Sequence, residues 1–185
     1  MTSKQSSTLP PFAILALGIL AVSTASIFIR YAQEGASSIV VSAYRMGFAS
    51  VILAPFALPG AVKSLKDLTM RQRWLVGLSG IFLALHFATW ITSLEYTSVA
   101  SSVVLVTTTP LWVAILSPLV LKERMRREIW IGLFLAMAGG AVVGLQEACT
   151  MLGGQLTCLP LREFLGGRAL IGNALALFGA FMASG

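Results

Sequence analysis

Charge is what this sequence has least of. Only 11% of its 185 residues are charged, with seven acids against thirteen bases, and His86 is its single histidine. Such a chain cannot dress a soluble domain in charged side chains. One histidine and no metal-spaced cluster leave an integral-membrane enzyme little to work with, so neither enzymatic chemistry nor a cofactor or metal is expected. No phosphate-cradling glycine loop, metalloprotease helix or Asn-x-Ser/Thr acceptor occurs, which removes support for ATP-driven transport within the chain. Cysteine is scarce as well: Cys149 and Cys158 are the only two.

What is present is hydrophobic. Apolar residues make up 57%, and the mean hydropathy is +0.87. The net charge of +6 lies in short basic clusters between apolar runs, a pattern that orients membrane helices rather than binding nucleic acid. The chain is organised around the stretch from Tyr96 to Gly140. Val99 to Leu121 carries no charge and is long enough to cross a bilayer. Pro110 interrupts it after Thr107, Thr108 and Thr109. A cluster from Lys122 to Glu128 closes it, and a second apolar run with Gly132, Gly139 and Gly140 follows.

These features resemble the EamA-like repeat of the drug/metabolite transporter superfamily. In that repeat a helix with a central proline is followed by a glutamate and then by a helix with spaced glycines, matched here by Pro110, Glu123, Gly132 and Gly139–Gly140. The segment Leu94 to Ser101 matches the lead-in, and Tyr44-Arg45-Met46-Gly47-Phe48-Ala49 is similar to the family's arginine-containing second helix. The resemblance covers nearly all of Pro11 to Leu145. It implies an all-α integral membrane protein, a polytopic bundle built on a five-helix repeat. It also implies secondary transport of small metabolites or drugs, often as efflux across the inner membrane, with the substrate site between two inverted repeats.

In chain order, residues 1–10 read as a cytoplasmic tail, and 11–145 as the repeat. Its spans are Phe12–Ile29, Ile39–Leu58 (ended by Pro59-Gly60), Trp74–Leu94, Val99–Leu121 and Ile129–Leu145. Residues 146–168 form an outer loop, and 169–185 begin a sixth span whose abrupt end looks like a truncation of a ten-helix protein. The first span followed by Ser-Thr-Ala-Ser also resembles a secretory signal, but its length and the spans that follow favour an uncleaved helix. With the N-terminus inside, Lys4, Lys63, Lys66, Arg71, Arg73, Lys122, Arg124, Arg126 and Arg127 are cytoplasmic, against Arg30, Arg162 and Arg168 outside. Cys149 and Cys158 then share the outer loop. In an oxidising compartment they are expected to pair across Gly153-Gly154; the alternative is two unrelated thiols.

Polar residues inside spans are costly in lipid and mark candidate sites. His86 lies roughly 18 Å from the inner end of its span, and Pro110 roughly 16 Å from the outer end of its own, at 1.5 Å per residue. His86, Thr89, Trp90 and Ser93 recur at i, i+3, i+4 and i+7 and therefore share a face. They line a pathway on one reading and pack against a neighbouring helix on the other, and the four-residue stripe favours lining. Arg45 either snorkels, pairs with Glu95 or attracts a substrate anion. Pro110 should kink its helix, with Thr108 and its neighbours lending hydroxyls to the freed backbone. Glu123 is expected in a local salt bridge with a packing or gating role, and Gly140-x-x-x-Gly144 in helix packing.

The partners expected are the bilayer, a small-molecule substrate, and a second repeat or homodimer partner. Two rivals compete: a small multidrug exporter working as a dimer, which needs a membrane acid that Phe12–Ile29 lacks, and a non-transporting or inactive truncated subunit.

Overall fold

The computed structural model describes residues 10–120, 122, 126–145, 149–152, 155–158 and 167–185. The tail before Pro10, Glu123 with most of the basic turn around it, and much of the expected outer loop lie outside the described residues. Among the described residues there are seven helices and one hairpin: α1 Pro11–Ala32, α2 Ser38–Asp67, α3 Met70–Ser93, α4 Val99–Val106, α5 Thr109–Val120, α6 Arg127–Leu145, β1 Cys149–Leu152, β2 Gln155–Cys158 and α7 Arg168–Ala183.

Four stretches are long and apolar enough to cross a membrane: Pro11–Ala32, Ser38–Val62, Met70–Tyr96 and Val99–Val120. The last is α4 and α5 together, and α7 is a shorter apolar helix. The chain is therefore a polytopic helical membrane bundle. Its exposed apolar side chains, such as Phe12, Val51, Phe56 and Phe134, are surfaces for lipid rather than water.

Two expected boundaries move. Proline and glycine at 59–60 do not end the second helix, which continues to Asp67 with Pro55 and Pro59 inside it. Each proline removes one backbone donor, and the remaining ladder carries the helix on. The third helix starts at Met70 rather than Trp74 because Thr69 and Gln72 form a capping box. The Gln72 N–H donates to Thr69 Oγ1 at 3.4 Å, and the Thr69 N–H to Gln72 Oε1 at 2.8 Å. The basic loop expected between these spans thus shrinks to Leu68–Thr69, and Lys66, Arg71 and Arg73 sit on helix ends.

The packed core gathers toward the end that carries the α1–α2 and α3–α4 turns. Ile29, Trp90, Ile91, Leu94 and Val106 form it, with Val41, Phe87 and Val99 against it. At the opposite end α1, α2 and the first half of α3 are exposed. The helix α7 runs antiparallel along α3: Gly172 meets Thr97, Gly179 meets Thr89 and His86, and Gly185 meets Phe82. Small residues make this approach possible. A Cβ at Gly172 would lie 2.7 Å from Thr97 Cβ, closer than side chains tolerate. Gly172, Ala176, Gly179 and Ala180 are all buried, forming a small-residue face of the kind that lets helices in lipid touch through their backbones.

The hairpin was not legible as strands. Cys149 pairs with Cys158 and Leu152 with Gln155 in antiparallel register, and a disulfide joins Cys149 to Cys158.

Candidate functional site

The turn end is fastened by polar contacts between neighbouring connections. Gln33, just past α1, donates through Nε2 to Ile91 O and to Ser38 Oγ, both at 2.7 Å. Glu95, just past α3, accepts from the Ser38 N–H at 3.1 Å and from the Ser38 hydroxyl. Ser38 opens α2, so this carboxylate serves as a cap on a helix N-terminus, where negative charge is favoured. Glu95 is therefore not paired with Arg45, one of the three roles that the sequence left open for that arginine. Arg30 Nη1 reaches Thr97 O at 3.4 Å, and Thr97 Oγ1 donates to Asn173 Oδ1 at 2.7 Å, which ties α7 into the same girdle.

Deeper in the bundle lies the layer that the sequence singled out. Arg45 of α2 places its guanidinium carbon 4.8 Å from the Phe87 ring centre and 5.3 Å from that of Trp90. Trp90 in turn stacks on His86, with centroids 6.0 Å apart and planes 19° from parallel. A cation over two aromatic faces gains about 0.5–2 kcal/mol, depending on desolvation. That is less than the several kcal/mol an uncompensated charge costs in a low-dielectric interior. Two donors in this cluster are buried and without a partner among the described residues: Arg45 Nη1 and Trp90 Nε1.

The four-residue stripe of α3 does share a face, but α7 and α4 cover much of it. The ring of His86 bonds through Nδ1 to Gly179 O at 2.8 Å. Thr89 donates back to Leu85 O at 2.8 Å and lies beside Gly179. Ser93 is fully buried, donating to Trp90 O and sharing a hydrogen with Ser102 Oγ, each at 2.6 Å. Only Trp90 turns toward Arg45. Ser23 and Thr24, hydroxyl residues midway along α1, are exposed and bond to their own helix at Leu20 O.

Pro110 does more than kink its helix: the helix breaks at Thr107–Thr108 into α4 and α5. Pro110 cannot donate to Val106 O, and Thr109 Oγ1 does so instead at 3.0 Å. Thr107 and Thr108 donate likewise to Val104 O and Leu105 O. A small cavity of about 60 Å³ adjoins the break, lined by Thr107, Thr108, Pro110 and, from α6, Leu133, Ala136 and Met137. Gly140 faces Val104 across the α4–α6 contact, where an added Cβ would stand 3.8 Å away. Gly144 lies on α6 near its end, and Glu123 lies outside the described residues.

Sequence reasoning missed Phe87, Gln33, Asn173 and the glycines of α7. The glycines did carry a signal, since Gly172 and Ala176 are four apart and Gly179 is three further on. The Phe87 contact carried none, because an aromatic among apolar residues reads as lipid-facing. No curated protein and no solved structure matches the chain. A profile of the EamA-like transporter family matches residues 9–145, so the chain belongs to that family, whose members are transporters and not enzymes.

Proposed function

We propose that the chain is a secondary transporter that exports small metabolites or drugs across the cytoplasmic membrane. Residues 11–145 act as one five-helix repeat, 146–168 as an outer loop, and α7 opens a second repeat of inverted topology. A second repeat, in the same or a partner chain, completes the pathway. The observation that carries this reading is the layer of Arg45, His86 and Trp90, set inside otherwise apolar helices of an EamA-like chain.

The basic residues support the orientation. Lys66, Arg71, Arg73, Lys122, Arg126 and Arg127 flank the helix ends opposite the girdle, while Arg30 and Arg168 lie at the girdle end. The positive-inside rule puts the first group, and with it the N-terminus, in the cytoplasm. The girdle then closes the outer side, and the exposed ends of α1, α2 and α3 face the cytoplasm. The break at Thr107–Thr108 supplies a hinge by which that asymmetry is reversed.

Two measurements test the proposal. Vesicles carrying the purified chain together with its second repeat and loaded with labelled benzoate, phenylalanine and ethidium are expected to release at least one solute faster than protein-free vesicles. Release of none would overturn the transport reading. Single cysteines at Arg71 and Lys122 should resist an impermeant thiol reagent in intact cells, and one at Glu34 should react; the reverse pattern would overturn the orientation.

A further inference from the structure

We propose that Arg45 and Trp90 form a binding site for one oxyanion group, the carboxylate or phosphate of a bound molecule. That this group belongs to the transported solute rests on the transport reading above; the site itself stands on geometry.

Arg45 lies seven residues into α2, roughly 10 Å from the start of the helix at 1.5 Å per residue. Its guanidinium is a permanent cation with in-plane donors shaped for carboxylate and phosphate. Its contacts among the described residues are the rings of Phe87 and Trp90. A ring face attracts the charge but offers no lone pair to an N–H, so these contacts leave the donors unserved. Among the described residues Nη1 is buried with no bonding partner, and the same is true of Nε1 of Trp90, a residue only 7% exposed. Buried donors in folded proteins are paired almost without exception, so these two, on side chains in ring contact, each call for an acceptor.

No described group supplies one. The helix packed against α2 at Arg45 is α3, which contains no acidic residue, and neither do α1, α4 and α7. The acid that follows α3, Glu95, is committed to Ser38. Gln33 Oε1 is itself a buried acceptor without a partner, so it does not serve these donors. A water molecule would satisfy a donor but not the charge. An oxyanion does both, and Arg45 is only partly covered, which leaves a way in.

The test is ligand binding to the purified chain in dodecyl maltoside, a detergent without phosphate or carboxylate. Benzoate, inorganic phosphate and dihexanoyl-phosphatidylglycerol are titrated separately by calorimetry and tryptophan fluorescence. Saturable binding of benzoate or phosphate is expected, weakened by added sodium chloride. Arg45→Met should weaken it by roughly tenfold or more, and Arg45→Lys by less, because the charge remains while the planar fork is lost. Trp90→Phe keeps a ring but removes the N–H and should weaken binding several-fold. If Arg45→Met fails to fold, Trp90→Phe and the salt dependence decide: unchanged affinity in the variant together with salt-independent binding overturns the site.

Binding of the short-chain lipid alone, weakened by Arg45→Met and less by Arg45→Lys, supports the oxyanion site and assigns it to a lipid headgroup. Binding of none of the three probes overturns it. Anion binding with no solute released from vesicles leaves the site standing and removes the transport reading. Release of ethidium without binding of any of the three anions does the opposite.

Discussion

The guanidinium carbon of Arg45 lies 5.3 Å from the centre of the Trp90 ring, so α2 and α3 meet through a cation and an indole rather than through an ion pair. The acid that the sequence offered as a partner is spent elsewhere, on the first residue of α2. Arg45 is thereby held by contacts that steady its position without neutralising its charge. In a transporter such a group is poised to meet something that moves.

Removing either ring of the stacked pair should affect folding differently. Trp90 is buried, and Trp90→Ala leaves a large void, at a cost of about 3–5 kcal/mol. His86→Ala removes the hydrogen bond to Gly179 O, a loss of about 1 kcal/mol. Thermal unfolding in detergent should rank Trp90→Ala well below His86→Ala, and both below the native chain. A native melting temperature for His86→Ala would show that its bond to α7 contributes nothing.

Backbone contact between α7 and the rest of the bundle should be intolerant of even one methyl group. Gly172→Ala places a Cβ 2.8 Å from the Thr97 backbone nitrogen, which a rotamer change cannot relieve. Overpacking of this kind costs about 1–3 kcal/mol. Gly77→Ala on α3, where nothing lies within 4 Å, is the matched control and should hold or raise stability. Equal melting temperatures for the two variants would contradict the close approach.

Glu95 and Ser38 should be coupled. Glu95→Ala removes the acceptor for two donors at the start of α2, and loss of a cap costs about 1 kcal/mol. Ser38→Ala removes one of those donors. A double-mutant cycle on unfolding free energies should give a coupling of at least about 0.5 kcal/mol, whereas strict additivity would mean the contact carries no energy.

Pro110→Ala restores a donor to Val106 O and removes the ring that breaks the helix. Spin labels at Val99 and Val120 should move apart by a few ångströms, roughly what straightening one kink yields. Solute release should fall several-fold if the break acts as a hinge. An unchanged label distance would place the cause of the break in the packing of α6 instead.

The Cys149–Cys158 bridge should be present in protein taken from an oxidising compartment, and intact mass with and without reductant detects it. Closing a loop of this length stabilises the hairpin by up to about 3 kcal/mol in the chain-entropy model. Two alkylatable thiols in unreduced protein would contradict the pairing.

What the sequence determined by itself was whatever depends on local composition. Uncharged runs of bilayer length specify membrane helices, because an unpaired backbone in lipid has no alternative partner. The family was legible in an ordered set of local features, Pro110 and the spaced glycines of the following helix among them. Pro110 also announced a break, since its missing N–H is a covalent fact, and the three threonines announced how that break would be patched. The stripe of His86, Thr89, Trp90 and Ser93 was readable because helical spacing alone puts those residues on one face.

Tertiary structure decided what that face meets. Helical spacing carries no information about which helix lies opposite, so only the packing of α7 shows that His86 bonds to Gly179 while Trp90 turns to Arg45. The partner of Glu95 was hidden for the same reason. Ser38 and Arg45 are both on α2, two turns apart, and which of them a carboxylate past the end of α3 reaches depends on how far the two helices slide along each other. That offset is set by the fit of side chains in the core, around Ile91 and Leu94, and no local pattern encodes it.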